Sequence, residues 1–298
     1  MEGEKQEKHH TKPIRCIVKL GGAAITCKNE LEKINEENLV IVSSQLRQAM
    51  MPGWSPSMKV LGMDWSKRHG ESEVSCNKDD FVDNANVDSS RFVVVHGAGS
   101  FGHFQASKSG VHKGGLDQSL VKAGFVATRI SVTTLNLEVV RALAREGIPS
   151  IGMSPFSCGW STYEKNIASA DLAAVAKAIN SGFIPVLHGD AVLDELQGCT
   201  ILSGDVIIRH LAAHLKPEYV VFLVSTNFYK FFSCLEYYKH KILLFIQAKL
   251  EPDLQCFYLI NVIESEWFLQ SFLLSWYILS LHQSSKALMK RAFTSCHI

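Results

Sequence analysis

Two short glycine runs, each following an apolar stretch, are the residues of this chain best suited to chemistry. In Lys19-Leu20-Gly21-Gly22 a cation stands beside backbone amides that no side chain shields, which is what a polyphosphate requires. In Gly97-Ala98-Gly99-Ser100-Phe101-Gly102, directly after Val93-Val94-Val95-His96, glycines allow N–H groups to approach a phosphate at a helix N-terminus. Each run also has a plain structural reading, as a turn between strand and helix or a lysine that ends a strand. Two such turns on strands of one sheet favour a phosphate ligand. The second run matches the dinucleotide pattern G-x-G-x-x-G, but no acidic residue closes a strand about twenty residues on, where a ribose would need it. No G-x-x-x-x-G-K-[ST] loop occurs anywhere in the chain.

Composition narrows the choice. The chain has 298 residues, 47% of them hydrophobic, with 30 Lys and Arg against 29 Asp and Glu and a mean hydropathy of +0.07. That apolar fraction is enough for one large or two modest cores. A net charge of +1 argues against a nucleic-acid partner, which selects for a basic excess. The eight cysteines are scattered with no Cys-x-x-Cys pair and no Cys/His ligand cluster, so no metal site and no disulfide framework is expected, and a reducing compartment is. Residues 1–13 are charged and lack an apolar run, which reads as a disordered tail of a cytoplasmic protein.

The elements that must position the glycine runs follow from hydrophobic period. Ile14 to Leu20 reads as a buried strand, Asn35 to Met50 as a helix with Glu36 and Glu37 in its first turn, and Arg91 to His96 as a second buried strand. Between them, residues 51–90 lose all period around Pro52 and Pro56 and read as a mobile insertion. A long helix is predicted over Asp117 to Glu146, a strand over Ser150 to Met153, a helix over Ala168 to Asn180 and a strand over Ile184 to His188. A hairpin over Val192 to Leu202, a helix opened by Ser203-Gly204-Asp205 and a strand from Tyr219 to Val224 complete the pattern. Strands and helices alternating at this rhythm predict an α/β fold with a mostly parallel central sheet covered on both faces.

Taken together, Val18-Lys19-Leu20-Gly21-Gly22, Lys28, His96 to His103, His188-Gly189-Asp190 and Ser203-Gly204-Asp205 resemble the isopentenyl phosphate kinase family of the amino acid kinase superfamily. The resemblance runs from about residue 14 to 223, and the Gly-Ser-Phe-Gly-His ending discriminates this family from relatives that phosphorylate carboxylates or carbamate. It implies a three-layer α/β/α sandwich and ATP-dependent phosphorylation of isopentenyl phosphate, with Mg²⁺ bridging the nucleotide phosphates. Residues 14–203 would form the acceptor-binding lobe and 204–223 the start of the nucleotide-binding lobe.

By the same resemblance Lys19, His103 and Asp205 are the catalytic set, with Lys19 neutralising the moving phosphoryl group and Asp205 orienting the lysines. Gly21, Gly22 and Lys28 would hold ATP phosphates, and Gly97, Ala98, Gly99, Gly102 and His103 the acceptor phosphate. A packing role for His103 and a helix-dipole role for Asp205 stay open on the residues alone. The resemblance also implies a homodimer paired through the long helix near Leu135 to Glu146.

After Leu223 the family continues with Thr-Asp-x-x-Gly and later a Thr-Gly-Gly segment, which build its nucleotide pocket, whereas this chain has Val224-Ser225-Thr226-Asn227-Phe228-Tyr229. Residues 224–298 hold none of the 20 Gly, one Pro and more than half of the Phe, Trp and Tyr. They are expected to form an atypical tail with few means of returning strands to the sheet and no stable membrane span. A second expectation therefore stands beside the first: a relative that binds prenyl phosphate but not ATP.

Overall fold

The computed structural model describes residues 14–27, 29–50, 92–225, 242–249 and 255–262. The expected N-terminal tail (1–13), the insertion (51–90), Lys28 and most of 224–298 lie outside them. Residues Met1–Ile260 form one compact unit and Asn261–Ile298 another, and the elements below belong to the first except for the last residues of the final strand.

The chain opens with β1 (Cys16–Leu20), the single turn α1 (Gly22–Ile25) and α2 (Glu36–Met50), then resumes with β2 (Phe92–His96) and α3 (Gly99–Ser109). The long α4 (Ser119–Arg145) leads to β3 (Ser150–Met153), β4 (Ser161–Tyr163), β5 (Asn166–Ser169) and α5 (Ala173–Asn180). Then come β6 (Ile184–His188), β7 (Asp190–Asp194), β8 (Gly198–Leu202), α6 (Gly204–Leu215) and β9 (Tyr219–Ser225). Two strands from the tail follow, β10 (Ile242–Lys249) and β11 (Gln255–Val262).

Seven strands make the main sheet in the order β11-β10-β9-β1-β2-β6-β3, and β9, β1, β2, β6 and β3 pair in parallel as the alternating pattern predicts. One face is covered by α2 and α4: Leu39, Val42 and Leu46 of the first and Leu135, Val139 and Leu143 of the second pack on Val18, Leu20, Val94 and Val186. The alternate side chains of β1 face the other way, where Lys19 meets Asp205 of α6. This is the three-layer arrangement expected.

Three departures from the sequence reading have simple causes. The helix predicted from Ala168 begins at Ala173, because Asn166–Ser169 are taken by β5 in a second sheet of order β5-β4-β7-β8. The predicted hairpin is present as β7 and β8, but the short strands β4 and β5 beside it carry too few residues to show a period. In the tail, β10 pairs in parallel with β9, from Ile242 opposite Val220 to Gln247 opposite Ser225, although the glycine-free composition predicts no return to the sheet. The run Ile242-Leu243-Leu244-Phe245-Ile246 has strong strand propensity, and a strand interior requires no glycine.

Register decides where a ligand can sit. Leu20 stands opposite His96 and Leu223, and His96 opposite His188, so the carboxyl ends of β9, β1, β2 and β6 form one row. In parallel sheets the crevice beyond such a row is where ligands bind.

Candidate active site

A cleft of about 340 Å³ lies beyond that row, lined by residues that include Lys19, Gly22, Thr26, Gly97 to Ser100, His103, Gly189 and Ser203 to Asp205. Its floor is built by the two glycine turns packed backbone to backbone. A Cβ on Gly22 would lie 2.3 Å from the Gly99 nitrogen, and one on Gly97 would lie 2.9 Å from the Gly22 nitrogen. Gly99 also has φ +51, in the region only glycine adopts easily. Side chains at these positions would therefore force the turns apart.

The turns divide their N–H groups between structure and cleft. Gly21 N–H donates to Leu223 O (2.8 Å) and Gly97 N–H to Leu20 O (2.9 Å), so both are spent on fastening turn to strand. At α3, whose cap Ala98 makes no side-chain hydrogen bond, Ser100 N–H goes to Thr26 Oγ1 (3.1 Å) and Phe101 N–H to Ala98 O (3.1 Å). The amides of Ala98 and Gly99 are left at the N-terminus of an eleven-residue helix, where the dipole and bare donors favour an anion. Gly102 is not part of the cleft wall. A Cβ there would meet Ala98 Cβ at 2.5 Å and Val132 Cγ1 at 3.0 Å, so this glycine serves the approach of α3 to α4.

Charge stands on either side of this floor. Lys19 Nζ, at the end of β1, makes an ion pair with Asp205 Oδ1 in the first turn of α6 and lies 5.6 Å from the Phe222 ring centroid. The lysine side chain is 14% exposed and the aspartate 45%, so the ammonium is held from below while remaining open to the cleft. Ser203 caps α6, its Oγ accepting from Val206 N–H (3.3 Å), which sets the carboxylate of Asp205. His103, on α3 one turn past the glycines, is exposed and lines the same cleft. The sequence-predicted Lys19, Gly22, Gly97, Ala98, Gly99, His103 and Asp205 are thus brought together.

Sequence reasoning missed the layer beneath the cleft. His96 and His188, both fully buried, stack with ring centroids 5.6 Å apart. Each Nδ1 donates to the carbonyl of the following glycine, Gly97 and Gly189, at 3.0 Å. His96 Nε2 is then the acceptor for Asn136 Nδ2 (3.1 Å), whose second hydrogen bond goes to Val186 O (3.0 Å). Burial first, and the neighbouring His188 second, push the His96 imidazole down to about 3, so it is neutral at ordinary pH. Burial likewise lowers His188, with Asp190 opposing. Asp190 itself is taken up by Ser154 Oγ (2.7 Å) and Phe156 N–H (3.3 Å), with Arg129 Nε 3.7 Å away. The signal for this layer was the repeated His-Gly at two strand ends.

Residues 79–227 match the amino acid kinase family model, half of the chain. The chain belongs to the amino acid kinase family. Over 215 residues it is 76% identical to isopentenyl phosphate kinase of Arabidopsis thaliana, a match covering 72% of this chain and 64% of that protein. It is 30% identical to isopentenyl phosphate kinase of Methanothermobacter thermautotrophicus over 211 residues, 69% of this chain and 65% of the relative. Less than two thirds of either relative's length is therefore spanned. Among solved structures, an isopentenyl phosphate kinase superposes with a TM-score of 0.58 at 25% identity, over 77% of this chain and 90% of that one. The superposition shows the same α/β fold with a mostly parallel central sheet.

Proposed function

We propose that the chain transfers the γ-phosphoryl group of ATP to isopentenyl phosphate, giving isopentenyl diphosphate. The observation that carries the reading is the Lys19–Asp205 pair facing the bare α3 N-terminus and His103 across one cleft. The acceptor is a phosphate monoester, already ionised near pH 7, so it attacks phosphorus without a general base. What remains is positioning and charge neutralisation. Ala98 and Gly99 amides and His103 hold the acceptor phosphate, Gly22 faces the nucleotide phosphates, and Lys19 meets the charge that spreads over the transferring group. Asp205 keeps the ammonium aimed and takes no proton.

Among the described residues no group of three His, Cys, Asp or Glu is placed to hold a metal, and Asp205 is engaged by Lys19. On this reading Mg²⁺ would be carried on the ATP phosphates. Bound there, it would withdraw charge from the β and γ oxygens.

A second reading rests on one observation: the family match stops at residue 227, and the family's Thr-Asp-x-x-Gly and Thr-Gly-Gly segments have no counterpart in the sequence that follows. On that reading the acceptor lobe (14–203) binds prenyl phosphate and the nucleotide lobe, beginning at 204, does not hold ATP. Calorimetry with ATP-Mg²⁺ and separately with isopentenyl phosphate decides between the two, since binding of both supports the kinase and binding of the acceptor alone supports the second reading.

The reading extends to a cytoplasmic homodimer. No helix among the described residues is long and apolar enough to cross a membrane. Near Leu135 the expected pairing surface is core, with Leu135, Val139 and Leu143 all buried. Of the exposed apolar residues of α4, Val126 (54%), Ile130 (64%) and Leu137 (54%) share one side of the helix and suit a second copy, while Leu120 (66%) lies off that side. Sedimentation equilibrium tests this, and a monomer at micromolar concentration removes it.

A further inference from the structure

One side chain ties the two glycine turns to each other. Thr26, 2% exposed and placed just after α1, donates its hydroxyl proton to Gly22 O (2.8 Å) on the first turn. The same oxygen accepts the N–H of Ser100 (3.1 Å) on the second. Its own backbone is held as well, by Thr26 N–H to Gly22 O (2.9 Å) and by an antiparallel bridge to Ile34. Gly99 sits hard against it, since a Cβ on that residue would lie 2.3 Å from Thr26 Oγ1 and 2.8 Å from its Cγ2. A hydroxyl has one proton to give, so this one is committed to Gly22 and is not available to a reacting phosphate.

We infer that Thr26 is a positioning residue that sets the separation between the nucleotide-side and acceptor-side turns, and with it the distance from phosphoryl donor to acceptor. The inference rests on the kinase reading for its consequence, because a transfer that needs no proton removed depends almost wholly on placement. It rests on geometry for its premise. Gly22 and Gly99 already touch backbone to backbone, so the turns cannot move closer, and the Thr26 hydroxyl keeps them from moving apart. The Ser100 amide is the group that would drift if the oxygen were removed, since Gly22 O keeps its bond from Thr26 N–H.

The test compares the full chain with Thr26→Val, which keeps the shape and removes the oxygen, and Thr26→Ser, which keeps the oxygen. The valine variant should fold, keep its KM for isopentenyl phosphate within about threefold and lose kcat by roughly ten- to a hundredfold, the scale of a small misplacement. The serine variant should recover most of that loss. In parallel, hydrogen–deuterium exchange of the peptide carrying Ser100 should speed up about tenfold in Thr26→Val, as for one hydrogen bond lost, and be normal in Thr26→Ser. An unchanged kcat in the valine variant, or a serine variant as impaired as valine, overturns the inference, the second by showing that the methyl group matters instead. Wild-type protein without turnover would end the kinase reading only. The exchange measurement then decides whether Thr26 ties the turns, and an unchanged Ser100 peptide overturns it. If valine does not fold, Thr26→Ala carries the same comparison.

Discussion

At the scale of single residues, the site separates groups that hold charge from groups that hold shape. Lys19 is the only cation lining the cleft among the described residues and is fixed by Asp205, so Lys19→Met should abolish most phosphoryl transfer while changing acceptor affinity little. Removing one such stabilising group costs on the order of a hundred- to a thousandfold in kcat, measurable in a coupled ADP-release assay. His103 stands one helical turn beyond the Ala98 and Gly99 amides, where its imidazole would hydrogen-bond the acceptor phosphate. His103→Ala should weaken isopentenyl phosphate binding by about ten- to a hundredfold, the equivalent of ~1.5–3 kcal/mol for a bond to a charged group. Titration calorimetry reads this directly, and unchanged affinity would assign His103 to packing alone.

At the scale of elements, buried polar groups bind strand ends and turns together, and their titration governs stability. His96 is pushed down to about 3 at the end of β2, and burial lowers His188 at the end of β6. The unfolded chain binds protons at these imidazoles near pH 6.5 while the folded chain does not, so stability is complete above that pH and falls as the pH drops below it. Each buried histidine adds up to about 1.4 kcal/mol per pH unit to this slope, and His96→Asn, which keeps a donor for Gly97 O, should flatten it in chemical denaturation between pH 6 and 4. Asp194 joins the turn of β4 and β5 to that of β7 and β8. Burial raises its carboxyl, but Lys165 N–H, Gln197 N–H, Thr162 Oγ1 and Leu196 N–H outweigh this and hold it below the usual range. Its contribution is present above pH 4 and lost only as the pH falls through that lowered value. Asp194→Ala should cost on the order of 3 kcal/mol at pH 7, read from the denaturation midpoint.

For the whole molecule, the contrast is between the proposed acceptor side, whose motifs are present, and a departure after Leu223. The turns, His103 and Lys19 all lie upstream, whereas the family's nucleotide-pocket segments have no counterpart downstream. Acceptor binding should accordingly outlast ATP binding, and replacing everything after Leu223 with the C-terminal segment of an isopentenyl phosphate kinase relative should raise ATP affinity and turnover together. A native chain already as active as the graft, measured side by side, would show that β10, β11 and the rest of the tail supply a nucleotide site of their own.

The sequence by itself determined the parallel α/β alternation and nearly every strand that borders the cleft, because a buried strand is a local apolar run bounded by turn residues. The family resemblance carried by motifs standing in order named Lys19, His103 and Asp205 as one set, and the fold brings all three to one cleft. Only the tertiary structure decided which glycines are taken up by the fold itself. Gly21 and Gly97 give their N–H groups to neighbouring strands, and Gly102 gives room to α4, facts set by partners distant in sequence. The same holds for Thr26, His96 and His188. Their roles depend on which carbonyls and amides parallel register brings alongside, and register is a property of strands already assembled.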